Sequence, residues 1–480
     1  MSRQVNKYAK LALIAALLLL MLPAVLRAIA GNVYLMGDES YYHARMSETI
    51  VQEGVPETDS FVVAGRDYVF SPYHLLLACF GFFFGALTAS KIVPLLLGLL
   101  CVYLFYSVLR NLRIEAWTRL AITAVFALSP VFIYTFNVST PLCFVLVLNL
   151  AGLLFLMKKS TLCTVLSLLF FSIAAMSGVF HAIVSAFIVF FYAFRYKKRL
   201  RRGYLIIAAV VFVLLSYSLP VYLASEKAGF VSFDVLSSFF ADLGGAAGIS
   251  VFAAILALVG YALVWKYKRQ YYLLYVFSIL LIAFSFFNSD LLIYSVLIIS
   301  FLAGTAFVHF ARMRWSLRIL RDFTLIILFC GLLFSAFTAV FSLQESLPNA
   351  PLANALIWLN LNSEQEDIVF SHYSNGFWIE FMSKRPVVMD GLLKYTPGVN
   401  SLYFDSKQVF ETDDLDKARE LLSKSGVKYI VVTKNFYDGL VWDKREKGLD
   451  FLLTNDETFK KVQENSYVVI YEYIYEGVEK

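Results

Sequence analysis

The chain has 480 residues, 60% of them hydrophobic and 16% charged, with a formal net charge of +6. A soluble globular protein is about half apolar and about a quarter charged, so this composition excludes an ordinary soluble enzyme. The basic residues cluster in short loops between apolar runs, which makes the positive balance a topology signal and speaks against nucleic acid as a partner.

Nearly all the apolar excess lies before Ser342, in runs long enough to cross a bilayer as helices. Eleven candidate spans follow in order: 9–30, 90–109, 118–136, 141–157, 161–178, 179–194, 204–223, 249–265, 271–287, 291–308 and 322–342. The first follows a basic Arg3-to-Lys10 segment and reads as a retained signal anchor. With the N-terminus inside, every basic cluster from Arg110/Arg113 to Arg312/Arg321 falls on the cytoplasmic side. That places loop 31–89, loop 224–248 and everything after 342 outside a cell membrane crossed many times. Counting Pro72 to Leu87 as a further span would break this agreement, so it reads as an interfacial or re-entrant helix. All five cysteines lie in apolar runs without metal-type spacing, and are expected to be buried, inert thiols.

The first external loop opens with "GDESYYHAR". Asp38 is placed to cap a helix starting near Glu39, with Met46, Ile50 and Val51 as an apolar side for the membrane interface. Its bland reading is a helix cap, a first-turn carboxylate and a snorkelling Arg45. The functional reading is a carboxylate site at the water–lipid boundary, where oxygen ligands suit a hard divalent cation. Such a cation offsets charge on a leaving phosphate, and Arg45, Arg66 and Lys91 are candidates to bind that phosphate. Further along, Asp290 stands at a span entrance and His181 near a turn; each is a functional suspect or a solvated cap. A transporter would carry mid-span charges or broken helices in repeated halves, and neither is evident.

Residues 343–480 read as an α/β domain. "DIVF", "RPVVMD" and "VKYIVVT" are expected strands, "DDLDKARELLSKSG" an amphipathic helix, and the end of the chain a hairpin turning near Glu464-Asn465. No phosphate loop, triad or zinc spacing is present, so this domain is expected to shape an acceptor site.

Three stretches resemble one family: "GDESYYHAR…GRDYVFSPYHLLLACF", "ALSPVFIYTFNVSTPLCFVLVL" and "IVFSHYSNGFWIEFMSKRPVVMDG". Together they make the chain similar to GT-C membrane glycosyltransferases, and more closely to the catalytic subunit of archaeal oligosaccharyltransferases and its short relatives. The resemblance implies a polytopic α-helical membrane domain (1–342) with a C-terminal extracytoplasmic α/β domain (343–480). It implies transfer of a sugar or glycan from a polyprenyl-phosphate or -diphosphate donor to a protein, lipid or surface-glycan acceptor. Asp38 takes the place of the family's first-loop aspartate, a ligand for Mg2+ or Mn2+ that also orients the acceptor. Glu39 and Arg45 would support it, His43 and His74 would be substrate-binding, and Asp242 is preferred over Glu226 and Asp234 as the later acidic ligand. The second acidic motif falls at Asn137-Val138-Ser139-Thr140, which holds no carboxylate. His372, Tyr373, Gly376 and Trp378 occupy the family's acceptor-reading motif, with only the glycine and the aromatic pair Phe377-Trp378 kept. The alternative is an inactive relative that binds lipid-linked glycan or scaffolds a partner.

Overall fold

Each of the eleven expected spans is helical in the computed structural model, which describes residues 2–195, 200–225, 239–245, 247–265, 268–442 and 447–474. In chain order the helices of the first half are α1 (Ser2–Ile29), α2 (Glu39–Glu53), α3 (Pro72–Phe84), α4 (Ala86–Asn111), α5 (Ala116–Ala127), α6 (Pro130–Thr135), α7 (Pro141–Leu156), α8 (Thr161–Ala175) and α9 (Val179–Arg195). They are followed by α10 (Leu200–Val213), α11 (Leu219–Ala224), α12 (Val251–Val264), α13 (Lys268–Ser285), α14 (Leu292–Arg312) and α15 (Arg318–Glu345). Among the described residues, five helical stretches are long and apolar enough to cross a membrane by themselves, and several shorter apolar helices pack among them. The span expected at 118–136 is broken, because Pro130 lacks an N–H and opens a new helix capped by the Ser129 hydroxyl, which accepts from the Phe132 amide at 3.2 Å. The run 161–194 does form two helices, and Gly178 lies in the turn between them. Ahead of α4, α3 ends in Phe82, Phe83 and Phe84, all exposed, which suits the interfacial helix read from the sequence.

The remaining helices are α16 (Ala350–Asn362), α17 (Gly376–Met382), α18 (Val399–Glu411), α19 (Leu415–Lys424) and α20 (Leu449–Leu452). Two short strands in the first loop, β1 (Thr58–Asp59) and β2 (Arg66–Asp67), pair antiparallel. A second sheet joins β3 (Ile368–Phe370), β4 (Val427–Thr433), β5 (Phe459–Glu464) and β6 (Val468–Tyr473) in the order β3-β4-β6-β5. The β5–β6 hairpin and the Asp414-capped α19 are where the sequence puts them. "RPVVMD" is not a strand: it touches its neighbours only through single bridges of Val387 with Val62 and Val369.

Those bridges reflect a wider arrangement. Leu35, Tyr41, Tyr42 and Met46 share one apolar core with Leu356, Phe377, Trp378, Val431 and Ile470. The Tyr41, Tyr42 and Met46 side of α2 therefore packs on the C-terminal domain, while Ile50 and Val51, expected with Met46 at the membrane interface, lie outside this core with Val51 exposed. At the join of the two halves, the buried Arg27 guanidinium donates to the carbonyls of Leu343 (3.1 Å), Gln344 (3.1 Å), Ser346 (2.6 Å) and Pro348 (3.3 Å). It satisfies carbonyls that the end of α15 would otherwise leave unpaired.

Candidate active site

The loop after α1 and the loop after α6 are strapped together at the start of α2. Met36 bridges Val138, and the Ser40 hydroxyl donates to the Met36 carbonyl (2.6 Å) while accepting from the Ser139 amide (2.8 Å). Gly37, at φ +74°, lies against Val138; a Cβ there would stand 2.7 Å from Val138 Cγ1. A larger residue would push Asp38 out of place.

Asp38 has helical backbone angles and its side chain makes no capping bond, so the cap reading of this residue does not hold. Burial pushes its carboxyl above the usual range, and the Glu39 backbone N–H partly opposes this. Glu39 is open to solvent, yet protein around it pushes its carboxyl up to about 7; the adjacent Asp38 and Asp290 add to the rise and Lys394 opposes it. Exposed yet surrounded by protein, Glu39 lies in a recess where the charges of Asp290 and Lys394 reach it. Asp290 enters from the turn Ser289–Leu291 before α14, its amide donating to Asn288 Oδ1 at 3.0 Å. Lys394 enters from the C-terminal domain on the turn Leu393–Tyr395, with Nζ 5.0 Å from the Tyr395 ring. Because the Glu39 carboxyl is raised, it is neutral below about 7 and charged above. Infrared titration of the protein should therefore show a carboxyl band that disappears between about pH 6 and about pH 8, and that is missing from Glu39→Gln.

Asp242 Oδ2 accepts the Val251 amide at 2.6 Å and so anchors the start of α12, while its Oδ1 has no hydrogen-bond partner. Glu226 and Asp234 lie outside the described residues. Among the described residues no group of three or more His, Cys, Asp or Glu side chains is placed to hold a metal. In the second loop, Asn137 donates to the Ile133 carbonyl (2.8 Å), leaving its own oxygen buried and unpartnered. The chemistry below is derived from the chain's own groups.

The expected phosphate binders are also engaged elsewhere. Arg45 makes two 2.8 Å bonds to Asp59 and one to Glu380; Arg66 bonds Asp59 (2.7 Å) and Asp390 (2.7 Å). All five residues are buried, and Arg45 lies 4.6 Å over the Phe61 ring. Two guanidiniums face three carboxylates, one negative charge in excess. Burial raises the Glu380 carboxyl well above its ordinary range, opposed by Arg45, and its Oε1 has no hydrogen-bond partner. Charges so paired are not free for a phosphate. Lys91 donates to the Val33 carbonyl and holds the chain leaving α1.

His43 and His74 do meet: His43 Nδ1 is 2.7 Å from His74 Nε2, and His74 Nδ1 is 2.6 Å from the Tyr68 hydroxyl. In the third motif, Trp378 is buried in the shared core, and a Cβ on Gly376 would meet Asp390 Cα at 2.6 Å, so both serve packing. His372 bonds Ser374 Oγ (2.8 Å) and lies against Tyr373 (ring centroids 4.2 Å apart); burial lowers its pKa to about 4.

Inside the membrane domain an apolar cavity of about 650 Å³ is lined by Leu153, Val184, Phe187, Leu281 and Phe301, with Tyr294 among its walls. The Tyr294 hydroxyl meets His181 Nδ1 at 3.1 Å and the Asn149 amide at 3.4 Å. From Tyr294 the cavity runs to Leu112, Ile114, Arg195 and Val264, and none of Asp38, Glu39, Asp290 and Lys394 lines it.

The architecture is that of the GT-C membrane proteins. No family model matches the sequence, and no curated protein matches it. Solved structures do. The Archaeoglobus fulgidus oligosaccharyltransferase in its apo form superposes with a TM-score of 0.69 at 13% identity, over 97% of this chain and 74% of that one. ArnT from Cupriavidus metallidurans gives 0.56 at 12% identity over 98% of both chains, and the arabinofuranosyltransferase AftD from Mycobacteria 0.60 at 15%, over 98% of this chain and 40% of that one. The first has also been solved with a dolichol-phosphate and an inhibitory peptide, and ArnT with undecaprenyl phosphate.

Proposed function

We propose that the protein is a multi-pass membrane glycosyltransferase. It moves a sugar or glycan from a polyprenyl-phosphate or -diphosphate donor to an acceptor on the outer face of the cell membrane. What supports this is the exposed Glu39 beside Asp38, under the charges of Asp290 and Lys394, on a fold shared with solved glycosyltransferases. In this proposal Asp38 accepts a hydrogen bond from the acceptor and orients it. Glu39 and Asp290 face the sugar carbon as it takes on positive character, and Lys394 faces the leaving phosphate. The polyprenyl chain stays among the apolar membrane helices, which keeps the tail out of water while the phosphate reaches it. The N-terminus is cytoplasmic and the C-terminal domain lies outside. A divalent cation, for which Asp38 and Glu39 are the nearest pair of ligands, is part of the proposal only as a variable of its test.

The test uses purified protein in nanodiscs, radiolabelled polyprenyl-phosphate and -diphosphate sugars, and membrane extract as acceptor, with Mn2+, Mg2+ or EDTA. Transfer of label is the expected result. No transfer from any donor, with lipid-linked sugar still bound, would favour the inactive, glycan-binding reading that the missing second-loop carboxylate supports.

A further inference from the structure

Tyr68, His74 and His43 form one unbranched chain of hydrogen bonds, with donor–acceptor distances of 2.6 and 2.7 Å. The chain links three segments: the end of the β2 loop, the first turn of α3 and the second turn of α2. His74 is 1% exposed, His43 8%, and Tyr68 is half-buried at the outer end. His43 lies four residues after Glu39 on α2, so the two share a helix face one turn apart. The rings of Tyr42 (5.1 Å) and Tyr73 (5.8 Å) enclose His43; Tyr42 also lies 5.6 Å from His74. The nearest charge is Arg45, already paired with Asp59 and Glu380. Cationic imidazoles find no carboxylate partner in these surroundings, and both rings are driven far toward the neutral form by burial.

Neutral imidazoles in single file have a specific property. Each ring carries one N–H and one bare nitrogen, so the direction of every hydrogen bond fixes the next. The chain has two states. In one, His43 Nδ1–H donates to His74 Nε2, His74 Nδ1–H donates to the Tyr68 oxygen, Tyr68 O–H points outward, and His43 Nε2 is bare. In the other, every proton has moved one place and His43 Nε2 carries a hydrogen.

We propose that this chain is a proton relay that carries the acceptor's proton away from the recess, which makes the acceptor a hydroxyl group. The inference rests on the glycosyl-transfer reading above. As the acceptor oxygen bonds the sugar carbon, the carbon–phosphate oxygen bond breaks and its electron pair leaves with the phosphate. The acceptor oxygen, now positively charged, gives its proton to His43 Nε2. His43 Nδ1–H passes to His74, His74 Nδ1–H passes to Tyr68, and the phenol proton leaves to water. No ring becomes charged. An oxonium is a far stronger acid than any imidazolium, so poorly basic histidines suffice. The chain resets when His43 Nε2–H gives its proton to the released phosphate, which leaves as an anion, and a proton from water enters at Tyr68 as the tautomers shift back.

The chain holds five histidines, which makes selective 15N-histidine labelling in nanodiscs readable. His43 and His74 should show neutral rings with matched tautomers between about pH 5 and about pH 8. In Tyr68→Phe the His43 tautomer ratio should shift, although Tyr68 bonds only His74. In the transfer assay Tyr68→Phe should lower the rate on the order of ten-fold and reduce a multi-proton solvent isotope effect to one proton, with unchanged melting temperature. A purely structural role moves none of these readouts except melting. An unchanged His43 tautomer in Tyr68→Phe overturns the relay, as does an unchanged rate and isotope effect. If wild type transfers nothing, the enzyme reading fails by itself, and the tautomer measurement still decides whether the three groups are wired together.

Discussion

Replacing Asp59 with alanine is expected to cost about 3–5 kcal/mol of stability, the usual penalty for stranding buried charges. Asp59 is the shared partner of Arg45 and Arg66, and each of the three is 3% exposed. Without it, two guanidiniums face each other with only Glu380 and Asp390 in reach. Thermal unfolding in detergent is the measurement, and a change under about 1 kcal/mol would show that the cluster is solvated after all. Glu380→Gln supplies the contrast. Burial raises the Glu380 carboxyl, so a neutral glutamine of the same shape should cost far less than Asp59→Ala. Acid provides a second check. Burial would raise the Asp59 carboxyl, but Arg45 and Arg66 overcome that and hold it below the ordinary range. Its contribution is therefore complete above about pH 4, the unfolded value, and is lost as pH falls further.

Asp38→Asn is expected to lower transfer by about 10²–10³-fold, the range for removing one preorganised electrostatic group from an active site. The change keeps shape and hydrogen-bonding capacity while deleting the charge. Since the Asp38 side chain makes no capping bond to α2, the helix should not suffer. Unchanged melting temperature with lost transfer would place Asp38 in the chemistry. Equal transfer by both proteins would remove it and leave Glu39 and Asp290 to account for the recess.

The membrane half of the fold could be read from sequence because its physics is local. Run length and basic loops located each of the eleven spans, though not the break at Pro130, and the Gly178 turn marked itself. The acidic opening of α2 was legible for the same reason: Asp38 and Glu39 are adjacent, polar and out of place. Pairings across the whole chain were not legible. Arg45 and Glu380 are 335 residues apart, and nothing in either neighbourhood names the other. An arginine beside a membrane reads as a phosphate binder or a snorkelling residue until its carboxylates are seen. Asp290 reads in the sequence as a functional suspect or a solvated cap, and only folding brings its charge to bear on Glu39, while Asp242 Oδ2 accepts the α12 amide.

The core shared by α2 and the C-terminal sheet has a consequence for biosynthesis. Tyr41 and Tyr42 emerge from the ribosome more than 400 residues before Val468 and Ile470, which lie in the same cluster. Tyr41 and Tyr42 lie against Phe381 and Phe377, so until α17 is made the apolar face of α2 has no lasting partner. A chain cut short before α17 would insert its helices and leave that face uncovered.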